Sequence, residues 1–174
     1  MVQGTARVDT GSSSREFGIT FECAPPPAVR PGVPFTLPVV VAVRPVGAPR
    51  NNTIQQLVVN AMLRSESRTS VCTGLTGTLT SSVRSRQGNT MSGYGIFRPL
   101  TISQPGRYRI RVMLCAASSS GVMTRDYIDS EVIEVHADAP ASQRPTPSQT
   151  TRLQALVPEN IGISATDIAA WQRA

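Results

Sequence analysis

Gly106-Arg107-Tyr108-Arg109-Ile110-Arg111-Val112-Met113-Leu114 is the stretch whose reading decides the fold. Tyr108, Ile110, Val112 and Leu114 occupy alternate positions, which in an extended chain places all four on one face. Arg107, Arg109 and Arg111 then form a stripe on the opposite face. Just upstream, Ser103-Gln104-Pro105-Gly106 reads as a tight turn, because Pro presets one backbone angle and Gly accepts the positive one that a type II turn requires. A strand entered through a turn, with a core face and a cationic face, is the expected element.

The same period extends outward. Upstream, Gly95 to Ile102 reads as a strand, preceded by a loop from Ser85 to Gly93 that carries Gly88 and Asn89. Leu75 to Val83 alternates more weakly and is rich in Thr and Ser, and it reads as one strand, with Gly74 and Gly77 bracketing a turn. Leu57, Val59, Ala61 and Leu63 point one way while Asn60 and Arg64 point the other. Phe35, Leu37, Val39, Val41 and Val43 line one face of an earlier strand, where Pro38 lacks a ladder donor and marks an edge or bulge. Pro45 to Asn52 is a loop, and Ala24 to Pro34 is rich in turns. Phe17, Ile19 and Phe21 alternate as a half-buried first strand. Downstream, a loop at Ser118 to Asp126 leads to a closing strand from Ile128 to His136. About seven short strands with no helix between them predict a mainly β fold, an immunoglobulin-like antiparallel β-sandwich over residues 17–137.

Both ends differ from this middle. Residues 1–16 offer Gly, Ser, Thr and charge without an apolar period, and are expected to be disordered. Residues 138–150 are rich in Pro, Ala, Ser and Gln and read as a linker. A short helical tail is expected over 151–174. Ser148 can cap a helix holding Leu153 and Leu156 on one face, with Pro158 ending it. Ser164 and Asp167 match a capping box for a last turn or two carrying Ile168 and Trp171. Helices this short are marginal alone, so Leu153, Leu156, Ile168 and Trp171 must dock on the domain, bind a partner or stay largely unfolded.

Composition bounds the function. Apolar residues make up 40% of the 174 and aromatic ones only 5%, so the core must be built from Val, Ile and Leu. The formal charge is +6, and all 17 basic residues are Arg. Phosphate recognition by the planar guanidinium fork is one reading of this, and a GC-rich coding sequence that replaced Lys is the other. The longest apolar run, Val39 to Val43, is far too short to span a bilayer, so no membrane partner is expected. Met1 to Phe17 lacks the apolar core of a secretory signal, which predicts an intracellular protein. Cys23, Cys72 and Cys115 cannot all pair, and reduced, partly buried thiols are expected, with a Cys23–Cys115 bridge as the alternative in an oxidising compartment. Asn51 and Thr53 complete a glycosylation sequon that matters only in a secreted protein.

Catalytic patterns are missing. His136 stands at the end of the closing strand, and no sequence-local nucleophile motif accompanies it. The cysteines include no close pair of the kind that announces zinc, and neither a P-loop nor a dinucleotide fingerprint occurs. The reading is therefore no enzyme, no metal, no cofactor and no small-molecule substrate. Arg107, Arg109 and Arg111, about 6.5 to 7 Å apart along a strand, could track a phosphate backbone or could form a solvated outer face. Arg84 and Arg86 lie in a loop, where sandwich proteins commonly make their contacts.

Gly77 to Ser82, Gly93 to Ile102 and Pro105-Gly106-Arg107-Tyr108-Arg109-Ile110-Arg111-Val112 together resemble the velvet domain of fungal regulatory proteins. In that family a Leu-x-Gly segment is followed by a Gly, an aromatic strand ending in Asp-Leu, and Gly-aromatic-Arg-Leu-Arg-Phe. The resemblance is clearest from Phe35 to His136. It implies a β-sandwich similar to the DNA-binding domain of NF-κB, a nuclear and also cytoplasmic location, and control of development and secondary metabolism. It further implies double-stranded DNA as a ligand and another velvet-domain protein or a second copy as a partner. Two departures stand out. Pro99 occupies the place of the family's Asp before Leu100, and the family's basic loop after its first strand corresponds to Ala24 to Pro34, where Arg30 is the one basic residue. Beside this regulator stands the alternative of a non-catalytic protein-interaction module without DNA binding.

Overall fold

The structure, a computed structural model, describes residues 17–45, 56–86, 92–118 and 121–174. The expected disorder of residues 1–16, the Asn51 sequon and most of the loop from Pro45 to Asn52 lie outside the described residues. The fold is mainly β, an immunoglobulin-like sandwich with a short helical C-terminal segment.

One layer is a three-stranded antiparallel sheet in the order β1-β3-β8, made of β1 (Phe17–Cys23), β3 (Val39–Pro45) and β8 (Gly93–Phe97). The other layer follows the order β2-β12-β10-β4-β5, from β2 (Ala28–Val29), β12 (Ile133–Val135), β10 (Gly106–Ser118), β4 (Gln56–Ser65) and β5 (Val71–Cys72). To it are added β11 (Gly121–Asp129) on β10 and β7 (Thr80–Ser82) on β4. A two-stranded ribbon, β6 (Leu75–Gly77) with β9 (Leu100–Ile102), completes the sandwich. All pairings are antiparallel except β12 with β2.

The expected core faces are observed. Leu57, Val59, Ala61 and Leu63 of β4 and Ile110, Val112 and Leu114 of β10 are buried together with Val39, Val41 and Val43 of β3. Tyr108 packs at the edge of this core, and its Oη donates to the Pro105 carbonyl at 3.1 Å. Such a hydroxyl, bonded back to the turn before its own strand, is the tyrosine corner of immunoglobulin-like sandwiches.

Four strand expectations are corrected. Leu75 to Val83 is not one strand: it divides into β6 and β7, which belong to different sheets. Gly77 turns the chain there with φ +117, and a Cβ on it would lie 1.9 Å from the Pro99 carbonyl oxygen. Gly74 and Gly77 thus flank β6 and do not bracket a turn. Gly95 to Ile102 divides at Arg98 and Pro99, because Pro offers no ladder donor. Ser118 to Asp126 is not a loop, since β11 returns along β10 from Gly121, and the closing strand is the separate β12. One extra residue in β11, opposite the step from Leu114 to Cys115, breaks the alternation that would have revealed that strand. Phe35 and Leu37 precede β3, which starts after Pro38. The strand count therefore rises from about seven to twelve among the described residues.

The C-terminal segment is corrected too. Residues 138–150 are not a free linker: Arg30 Nε donates to the Ala139 carbonyl at 2.6 Å, and Thr36 and Gln143 exchange backbone-to-side-chain bonds. Helix α1 (Pro147–Leu156) is capped by Thr146 and not by Ser148. Pro147 needs no donor at the first helical position, so the cap falls one residue before it, and Thr146 and Gln149 close a full capping box. A 3-10 turn (Val157–Glu159) follows, then α2 (Ala165–Gln172), for which Ser164 and Asp167 form the expected capping box.

Leu153, Leu156, Ile161, Ile163, Ile168 and Trp171 are buried in a second core cluster with Cys23, Leu37 and Val40. The tail therefore lies on the outer face of the β1-β3-β8 sheet. Of the three fates open to Leu153, Leu156, Ile168 and Trp171, docking on the chain's own domain is the one observed. As docked, these side chains are not offered to a separate partner.

Where the two sheets meet, Gly95 of β8 faces Val59 of β4, and a Cβ on Gly95 would sit 2.3 Å from Val59 Cγ2. Gly95→Ala is expected to lower stability by about 1 to 3 kcal/mol through overpacking. Urea denaturation, with the transition midpoint compared at unchanged slope, measures it.

Candidate functional site

The strand geometry brings the arginines into two groups. The first is the stripe on the outer face of β10. Arg107 is paired with Glu66 at 2.9 Å and also with Glu134. Arg109 Nε donates to the Glu66 carbonyl at 2.8 Å and its Nη1 to the Ser130 carbonyl at 2.9 Å. Arg111 grips Asp129 with two bonds, 2.7 and 3.0 Å, and its guanidinium lies 4.1 Å from the Tyr127 ring centroid. Arg68 reaches Asp129 at 3.7 Å as well. All three expected stripe residues are thus engaged within the chain.

The hydrogen bond that Arg107 donates holds the accepting Glu66 carboxyl below its ordinary range, and the same bond raises Arg107. The bond to Asp129 raises Arg111. The Arg111–Asp129 pair is the enclosed one, with side chains 15% and 9% exposed against 49% and 48% for Arg107 and Glu66.

The second group borders the docked tail. In the β3-β8 register Val43 lies opposite Gly93 and Ala42 opposite Tyr94, while an isolated bridge sets Arg84 opposite Tyr94 on the other side. Alternation along β3 carries Val40, Ala42 and Arg44 to the outer face. Along β8 it carries Tyr94 and Ile96 there, and Arg98 follows at the next such position. Arg44, Arg84 and Arg98 therefore share the face on which the tail lies. Arg86, two residues beyond Arg84, stands at the same end of the sandwich, and its backbone N–H donates to Glu159 of the tail at 3.3 Å.

Arg98 meets the tail directly. Its Nη2 lies 3.4 Å from Asp167 Oδ2, and its guanidinium lies 5.7 Å from the centroid of the Trp171 ring. Asp167 also accepts from the Ser164 backbone N–H at 3.1 Å. Burial pushes the Asp167 carboxyl up, but the Ser164 backbone bond and the Arg98 charge outweigh it and hold the group below its ordinary range.

Arg30 stands apart from both groups, tied to Ala139. Arg44 and Arg98 were missed in the sequence. Arg98 was hidden because the strand was read straight through Pro99, and Arg44 because it follows the apolar run without an Arg neighbour.

His136 is exposed at the end of β12, its backbone N–H bonded to the Val29 carbonyl at 3.0 Å. Among the described residues no group of three or more His, Cys, Asp and Glu is arranged to hold a metal ion. Cys23, Cys72 and Cys115 are free thiols, and burial pushes Cys23 up to about 11. No helix among the described residues is long and apolar enough to cross a membrane.

Two expectations follow from these pairs. Asp129→Asn, which leaves Arg111 with a weaker partner in a partly enclosed site, should destabilise by about 1.5 to 3 kcal/mol. Glu66→Gln, on a solvated pair, should cost clearly less than Asp129→Asn. Chemical denaturation of both variants against the parent measures the contrast. The second concerns pH. Because the folded Asp167 carboxyl is depressed, its contribution is fully present above the ordinary carboxylate range and is lost as pH falls through the depressed value. Emission from Trp171 should therefore report loosening of α2 on the acid side of that range, and the step should be absent in Asp167→Asn.

No family model matches the chain, and no curated protein does. Among solved structures, the cohesin module of a family 33 glycoside hydrolase from Clostridium perfringens aligns with 75% of this chain and 100% of its own length, at 8% identity and a TM-score of 0.37.

Proposed function

We propose that this chain is a velvet-like regulatory protein that acts without catalysis, by binding an anionic partner, double-stranded DNA, at the end of the sandwich where Arg44, Arg84 and Arg86 meet. The observation that carries the proposal is the division of the arginines. On β10, Arg107 and Arg111 are paired with Glu66, Glu134 and Asp129 and Arg109 is held by the Glu66 and Ser130 carbonyls, whereas Arg44, Arg84 and Arg86 have neither a carboxylate nor a carbonyl on their guanidinium groups among the described residues. A partner rich in phosphate would be drawn to the cations that have no internal counter-ion.

The sequence resemblance supports this reading at a second level. Its matching segments, Gly77 to Ser82, Gly93 to Ile102 and Pro105 to Val112, supply the framework strands β7, β8, β9 and the start of β10. The departures from the family fall at Pro99 and along Ala24 to Pro34, so binding is assigned to another end of the molecule than the family's basic loop. Nuclear action and pairing with another velvet-domain protein or a second copy come with the resemblance and belong to the same proposal.

The test is a salt titration of duplex DNA binding. Affinity should fall steeply with added salt, and Arg84→Ala combined with Arg86→Ala should reduce the slope of log K against log salt by about 1 for each phosphate contact removed. Arg107→Ala should leave the slope unchanged. An unaltered slope and affinity in the double variant would remove this end of the sandwich from the proposal and favour the protein-interaction reading.

A further inference from the structure

The tail does not lie flush against the sandwich along its whole length. Between the outer face of β8, strand β7 and the Ile161–Gly162 loop an open groove of about 450 Å³ remains. Arg84 and Arg98 line it, with Thr78 and Ser82 among the hydroxyl residues and Ile96 and Ile161 among the apolar ones. No carboxylate contributes to its wall.

The hydroxyls divide in a way that bears on what the groove can hold. Thr80 donates to Asn60 Oδ1 at 2.9 Å. Ser81 accepts the Ile96 backbone N–H at 3.1 Å and donates to the Ser82 carbonyl. Those two hydroxyls are occupied, whereas the hydroxyls of Thr78 and Ser82 and the guanidinium of Arg84 have no bonding partner among the described residues. Arg98 has a long ion pair, 3.4 Å, to an Asp167 that already accepts from Ser164, and it lies against the Trp171 ring. A concave site with two cations and two spare hydroxyl donors, where among the described residues one carboxylate, Asp167, reaches Arg98 and none reaches Arg84, is suited to an anion. Guanidinium forks match the paired oxygens of a phosphoryl group, and hydroxyls add short charge-assisted bonds.

We infer that this groove is a binding site for a phosphoryl dianion, held by Arg84 and Arg98 and completed by Thr78 and Ser82. The site is built at the seam between the sandwich and the tail, so occupancy stabilises the docked tail by mass action. It shares Arg84 with the proposed DNA-binding end but needs neither Arg44 nor Arg86, and it stands whether or not DNA is bound. The phosphoryl group has two possible sources, free phosphate or a phosphorylated side chain of a partner protein, and the chemistry is the same for both.

Trp171 is the chain's single tryptophan and lies beside Arg98, so it reports on the site. The full chain is titrated with sodium phosphate against sodium chloride and sodium acetate at matched ionic strength, at a pH where phosphate is a dianion. A saturable change in Trp171 emission and a raised melting temperature are expected with phosphate and with neither other salt. Isothermal calorimetry gives the same constant independently of fluorescence. Arg98→Gln and Arg84→Gln should each weaken binding at least tenfold. Arg84→Gln is decisive, because among the described residues the Arg84 side chain makes no hydrogen bond or ion pair to the tail whose loss could mimic the effect.

Phosphoserine in a short peptide is titrated in parallel. Tighter binding of the peptide assigns the site to a phosphorylated partner, and preference for inorganic phosphate assigns it to the free ion, with either result supporting the site. Equal responses to phosphate and chloride, or phosphate affinity undiminished in Arg84→Gln and Arg98→Gln, would overturn it. Arg86→Ala separates the two proposals, since it should weaken DNA binding and leave phosphate affinity within twofold of the parent.

Discussion

Burial of β3 on both of its faces is the constraint on which the rest of the molecule depends. Every residue from Val39 to Val43 is inaccessible or nearly so. Alternation along a strand sends Val39, Val41 and Val43 into the main core and Val40 the other way, into the cluster with Leu153, Leu156 and Trp171. A strand that is apolar on both sides must be covered twice. One cover is the opposite sheet, led by β4 and β10, and the other is the C-terminal tail. The tail is in this sense a third layer of the fold, and the ordered path from Ala139 to Thr146 is what delivers it there.

Once the tail is fixed in that place, the distribution of charge follows. Seventeen arginines look equivalent in the chain, yet the fold sorts them by what lies within reach. On β10 the stripe meets acids brought in by the turn after β4, by the end of β11 and by β12, and a surface that reads as cationic becomes a lattice of ion pairs. At the margin of the tail, Arg44, Arg84 and Arg98 stand on alternate positions of neighbouring chain segments, and among the described residues one carboxylate, Asp167, pairs with one of them, Arg98. The enclosed Arg111–Asp129 pair serves to hold β11 to β10, and the exposed pairs of Arg107 mainly set the potential of that face. The proposed recognition of an anion is therefore assigned to the border of the tail and not to the stripe.

The same layout explains why the resemblance to a known domain family and the reading of the surface are separate questions. The segments that carry the resemblance are turns and core-facing strands: Gly77, which turns the chain past the Pro99 carbonyl, Gly95, packed against Val59, and Tyr108, bonded to its own turn. Such residues hold the framework. The side chains that could meet a partner lie on the outer positions of those strands, which the framework leaves free to vary.

Short-range pattern determined the inward faces of β4 and β10 and, through the Ser164 and Asp167 capping box, the start of α2, because each depends on backbone geometry within a few residues. Short-range pattern also marked Leu153, Leu156, Ile168 and Trp171 as needing cover, without saying what would cover them. Only the tertiary structure decided that their cover is the outer face of β3, that β6 and β7 belong to different sheets, and that Arg107, Arg109 and Arg111 are engaged while the guanidinium groups of Arg44 and Arg84 have no partner among the described residues. The reason is distance along the chain: Arg107 meets Glu66 across 41 residues and Arg98 meets Asp167 across 69. Which charges neutralise each other depends on strand register and layer packing, and neither is written in any local stretch of sequence.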